Sequence, residues 1–79
     1  MSTTRDELRD RVDRMYGQLK DYGLRENYGL NEIKGIAIQR VREELEAEIE
    51  SLITRWPETG GTYLSLATAR LALFNSMYR

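Results

Sequence analysis

From Thr62 to the end of the chain only Arg70 and Arg79 carry charge, whereas the residues before Trp56 hold nearly all the rest, with both signs mixed. Seventy-nine residues enclose too little interior to bury a helix on every side. A C-terminal helix this poor in charge therefore needs a neighbour beyond its own core, most simply a second copy of the chain.

The rest of the composition narrows the classes. Hydrophobic residues make up 41% and charged residues 32%, a balance that supports a folded helical protein rather than a disordered one. The length holds one domain, residues 1–79. A net charge of −1 weighs against general nucleic-acid binding, which goes with a basic surplus. The sequence has neither cysteine nor histidine. Disulfides, thiolate zinc sites, Ser-His triads and the common di-iron ligand sets thus have no residues to build them. The expectation is a chain without catalytic, cofactor-binding or metal-ligating residues. Met1-Ser2-Thr3-Thr4 leads straight into charged residues, and the C-terminal apolar stretch is short and rich in Ser, Thr and Asn. A cytoplasmic location without membrane contact is expected.

Hydrophobic spacing predicts three helices, at 4–22, 32–56 and 62–78. Thr4 and Glu7 match the capping box that opens a helix. Leu8, Val12, Met15, Leu19 and Tyr22 then recur at steps of four and three, the seam of a helical bundle, with Tyr16 widening it. Gly17 lies opposite, either neutral or marking the close approach of another backbone. Gly23 suits a left-handed helix end. The repeated Tyr22-Gly23-Leu24 and Tyr28-Gly29-Leu30 suggest two tight turns with each glycine at positive φ, either as a plain connector or as an exposed tyrosine-bearing loop.

Asn31 can cap the second helix, which Pro57 ends. Ile38, Val41, Leu45, Ile49, Leu52, Ile53 and Trp56 share one arc, while Ile33, Ile36 and Ala37 point elsewhere. Either Gly35 breaks the helix or its first turns meet a different neighbour. Gly60-Gly61 then reverses the chain, and Thr62 can cap the third helix. There large apolar side chains fill half the circumference. Ser65, Ala69, Ala72 and Ser76 form a small-residue stripe on the other half, of the kind that lets a second helix come close.

Few residues suggest chemistry. Glu43, Glu46 and Glu50 share the outer face of the second helix, which is either a solvated face or a surface offered to a basic partner. Arg40 and Arg42 stand four residues before Glu44 and Glu46, the spacing of helical ion pairs. Arg70 projects from the apolar half of the third helix and needs a carboxylate, for which Glu48 is the first candidate and Glu44 the second. Tyr28 is the aromatic residue least explained by a core seam.

The run Leu8-Arg9-Asp10-Arg11-Val12-Asp13-Arg14-Met15 resembles the first-helix pattern of the all-helical chorismate mutases, L-R-x-x-I-D-x-L. The resemblance covers this short segment and implies that Arg9 would hold a substrate carboxylate. The chain departs from the family where Gly17, Gly23 and Gly29 interrupt what is there one long helix. The family's second arginine of that helix would fall near Arg25 or Glu26, and its later lysine at Lys34. The family's C-terminal glutamine is absent here.

The sequence thus predicts an all-α, three-helix antiparallel bundle-like protomer that assembles into an intertwined or packed homo-oligomer, a dimer first. The interface residues would be Ser65, Leu66, Ala69, Ala72, Leu73, Ser76 and Met77. The function expected is a non-enzymatic adaptor or inhibitor, of the sort found among phage or bacterial accessory factors, that occludes a protein partner. Glu43, Glu46, Glu50 and Tyr28 are the partner-binding candidates, and Arg70 with Glu48 the structural ion pair. The alternatives are a regulator with a degenerate helix-turn-helix over residues 24–45 and, more remotely, a small helical mutase.

Overall fold

The computed structural model of the chain describes residues 3–22, 28–55 and 61–79. They form three helices, α1 (Thr4–Asp21), α2 (Leu30–Thr54) and α3 (Gly61–Met77). No strand occurs among the described residues, so the fold is the all-α, three-helix one that the spacing predicts. The chain divides into two compact units, Met1–Val41 and Arg42–Arg79. Each is a helical pair: α1 with the first part of α2, and the second part of α2 with α3.

Thr3 opens α1 from an extended backbone, φ −90° and ψ 169°. Its hydroxyl accepts a hydrogen bond from the Asp6 amide at 3.2 Å, and its own amide donates to the Asp6 carboxylate at 3.1 Å. This is a reciprocal capping box, one residue earlier than the Thr4 and Glu7 pairing expected from sequence. Thr3-Thr4-Arg5-Asp6-Glu7 holds the pattern in two registers. The earlier one adds a further helical bond, from the Glu7 amide to the Thr3 carbonyl at 3.0 Å. The amide and hydroxyl of Thr3, aided by Arg9, hold the Asp6 carboxyl below its usual value of 3.8.

Leu8, Val12 and Leu19 are buried and Met15 half-buried, as the seam requires. Tyr22, placed on the seam by its spacing, is instead 83% exposed. The helix has ended at Asp21, and Tyr22 serves as its C-cap, its amide donating to the Gln18 carbonyl. Tyr16 is half-buried and takes the Lys20 ammonium over its ring at 5.0 Å. The expected cap Gly23 lies outside the described residues.

The second helix starts earlier than predicted. The Ile33 amide donates to the Gly29 carbonyl at 3.0 Å, so Asn31 sits within the first turn rather than capping it. Gly29 is not at positive φ, contrary to the double-turn expectation. Nor does Gly35 break the helix, which runs unbroken from Leu30 to Thr54. Ile33 and Ala37, read from sequence as pointing elsewhere, are completely buried in the first unit together with Val41. Leu45 continues the row into the second unit. Each step of four residues turns about 40° around a helix. The row 33, 37, 41, 45 therefore winds around α2 and serves one unit after the other. The sequence arc, extended in a straight line, missed this drift. It also placed Ile53 in the core, whereas Ile53 is 55% exposed. Trp56, Pro57 and Gly60 lie outside the described residues. The third helix begins at Gly61, so Thr62 is already helical rather than the cap.

A β-carbon at Gly17 or Gly35 meets no atom within 4 Å, which leaves no close backbone approach at Gly17. Gly35→Ala should therefore stabilise the fold by about 0.5–1 kcal/mol, seen as a higher urea midpoint. Thr3→Ala should cost about 1 kcal/mol and lower the melting temperature by roughly 4–8 °C. Because folding lowers the Asp6 pKa, its contribution is complete above the usual value of 3.8 and is lost as pH falls through the lowered one. Thr3→Ala should flatten that part of the pH–stability curve, followed by circular dichroism.

Candidate functional site

Among the described residues the core of the second unit is small. Leu45 on α2 and Ala67 and Phe74 on α3 are buried, Phe74 completely. Tyr78 stacks at a tilt on Phe74, ring centroids 4.9 Å apart.

Arg42 ties the two helices together. Its Nε donates to the Asn75 side-chain carbonyl at 2.9 Å, and its Nη2 to the Tyr78 backbone carbonyl at 3.2 Å. The guanidinium carbon lies 5.6 Å from the centre of the Phe74 ring. The last carbonyls of a helix lack internal partners and carry partial negative charge. The last turn of α3 has no basic residue of its own, so Arg42 supplies the cation from α2. Spacing along α2 matches Arg42 with Glu46 and gives no sign of these contacts with α3. One signal was legible: the last turn of α3 holds neither glycine nor cation, which leaves room for a donor from elsewhere.

Arg70 lies 3.5 Å from Glu48, with side chains 40% and 42% exposed. The pair joins α3 to α2 but remains in contact with solvent, so its own contribution is small, within about 1 kcal/mol. It stands at the rim of an open groove of about 670 Å³ between these two helices. Ala47, Ser51 and Leu52 line it from α2; Tyr63, Leu66 and Ala67 line it from α3, and Glu44 joins Glu48 on the acidic rim. Tyr63 and Leu66 are 61% and 58% exposed despite their apolar bulk.

A second, shallower channel of about 800 Å³ runs along the outer side of α3, past Ser65, Thr68, Ala69 and Ala72. All four are exposed, as is Ser76. The Thr68 hydroxyl is already satisfied, donating to the Leu64 carbonyl at 2.8 Å. Leu73 and Met77 are half-buried. The seven residues expected at an oligomer interface thus all keep surface exposed along α3. Glu43, Glu46 and Glu50 are exposed on α2, and Tyr28 is exposed just before that helix. Arg9, the residue of the mutase resemblance, is exposed on α1.

Among the described residues no three His, Cys, Asp or Glu side chains gather as a metal site. No helix among the described residues is long and apolar enough to cross a membrane. No family model, curated protein or solved structure matches the chain.

Arg42→Ala should destabilise the fold by about 1–2 kcal/mol, the usual scale for hydrogen bonds to a charged group reduced by partial exposure. Arg42→Lys should recover only part of this, because an ammonium cannot fork between Asn75 and Tyr78. Urea midpoints of the three proteins test the assignment; a full rescue by lysine refutes it.

Proposed function

We propose that the chain is a small, non-enzymatic protein-interaction module that self-associates through α3 and offers an acidic face of α2 to a protein partner. One observation carries the reading. Only two side chains of α3, Ala67 and Phe74, are buried, yet Arg70 is its only charged residue. The helix keeps Leu66 and Tyr63 more than half exposed, beside the uncharged Ser65, Ala69, Ala72 and Ser76. Exposed apolar side chains on a helix this short of charge favour an interaction site.

Magnitudes set the size of the contact. Covering the exposed half of Leu66 contributes on the order of 1 kcal/mol, against at least ~4 kcal/mol lost in joining two molecules. No single side chain suffices. A stable pair needs about 800 Å² from each partner, roughly one seventh of the chain's 5814 Å². The full length of α3, about 25 Å for its seventeen residues, is matched to that need.

The acidic row supports the second half of the proposal. Glu43, Glu46 and Glu50 are exposed on one side of α2, where they favour a basic protein surface by steering and by charge matching. The partner would be captured by this row while α3 builds the assembly.

Light scattering over a range of concentrations should give twice the monomer mass of 9.2 kDa. Leu66→Glu should give the monomer with its helical content intact, and an unchanged mass in both that variant and Ala72→Glu refutes self-association through α3. Glu43, Glu46 and Glu50 changed together to Gln should leave the fold and the oligomer as they are and abolish partner capture; capture that persists rejects the acidic face.

A further inference from the structure

The groove between α2 and α3 has the carboxylates of Glu44 and Glu48 on its α2 wall and the guanidinium of Arg70 on its α3 wall. An apolar helical ridge that brings a positive charge to the α2 wall and a negative one to Arg70 complements it. The chain itself contains such a ridge: α3, uncharged but for Arg70, with Tyr63 and Leu66 standing out beside it and Glu48 of α2 paired with that arginine. Tyr63, Leu66 and Arg70 fall at steps of three and four, on one side of α3. Ridge and groove are thus carried by the same unit of the same chain.

Resting on the self-association reading above, we propose that this groove is the seat for α3 of a second copy. The two copies are related by a two-fold axis that brings Glu48 and Arg70 of each together as a quartet of alternating charge. An isologous contact requires a patch complementary to itself. This patch satisfies that condition, since apolar side chains occupy its middle and both signs of charge its edge. The internal Glu48–Arg70 pair, 3.5 Å apart and about 40% exposed on each side, leaves both groups accessible to the partner's. At about 670 Å³ the groove takes side chains such as the partner's Leu66 and Tyr63, and covering it shields the charges from water. Of the two surfaces α3 exposes, the small-residue channel has no charge to fix a register; the groove has.

The test is a charge swap with mixing. Arg70→Glu sets like charges against each other at both crossings of a homodimer, and so does Glu48→Arg. Each variant alone should show a dissociation constant raised roughly 10- to 100-fold, as two attractions become repulsions. Mixed in equal amounts, the two should restore a dimer near wild-type affinity, because every crossing then pairs Glu with Arg. A pair that acts only within one chain cannot be repaired by mixing. Circular dichroism confirms that each variant is folded. Should either fail to fold, Glu48→Gln gives the same reading without reversing a charge: the dimer should weaken several-fold at low salt and its salt dependence should shrink.

The outcomes separate the two claims. Recovery on mixing establishes the seat. A wild-type dimer unmoved by these changes but split by Ala72→Glu overturns the seat, keeps self-association and assigns it to the small-residue channel. A wild-type monomer at all concentrations overturns both. A dimer indifferent to Leu66→Glu, Ala72→Glu and the charge variants places the contact off α3 and also rejects both.

Discussion

Phe74 is the larger of the two side chains α3 buries, and Arg42 lies over its ring while bonding Asn75 and Tyr78. The attachment of α3 to α2 is therefore concentrated toward the C-terminal end of the helix. Emptying a site like that of Phe74 costs about 3–5 kcal/mol, a large part of the 5–15 kcal/mol typical of a whole domain. Among the described residues the other end of α3 has no comparable anchor. Tyr63 and Leu66 stay in solvent there, and the groove beside them is what an incompletely covered helix leaves behind. The same asymmetry that holds α3 in place thus creates the surface on which the functional proposal rests.

Alpha-helix α2 is asked to do two jobs with one seam. Its buried row at steps of four gives Ile33, Ala37 and Val41 to the first unit and Leu45 to the second. Its charged residues follow the division. Arg42 is spent on the end of α3, Glu48 on Arg70, and Glu43, Glu46 and Glu50 face outward. A helix wholly wrapped by neighbours could not keep five glutamates between 43 and 50, since a buried carboxylate needs its own partner. The crowding of acid on this stretch goes with the few buried side chains among the described residues of the second unit.

The three helices were legible because their signals are local: a capping pattern and an apolar period near 3.6. Leu8, Val12 and Leu19 follow from spacing alone. The errors arose where the answer depends on a neighbour. The rival capping registers of Thr3 and Thr4 differ by a single hydrogen bond, which spacing does not resolve. Ile33 and Ala37 were misplaced because a straight arc ignores the winding of a four-residue row. Tyr22 was assigned to a seam that the helix leaves one residue too early. At the candidate site, Glu48 was named as Arg70's first candidate partner because a guanidinium on an apolar face narrows the choice of carboxylates. Arg42 was missed because an i,i+4 glutamate offered a nearer explanation, while its contacts with Asn75 and Tyr78 lie more than thirty residues away.

Charge placement also bears on where two copies can meet. Two acidic rows set face to face would oppose like charges within the Debye length of about 8 Å at physiological salt. Helix α3 carries no carboxylate, so copies joined along it keep Glu43, Glu46 and Glu50 away from the contact. Under the proposed reading, apolar association and acidic recognition then rest on different physical terms. Excluded salts strengthen effective apolar burial, while salt of any kind screens an exposed acidic row. A module built this way can release a basic partner without losing its own assembly, because the two contacts use different residues and the assembly adds apolar burial to its ion pairs.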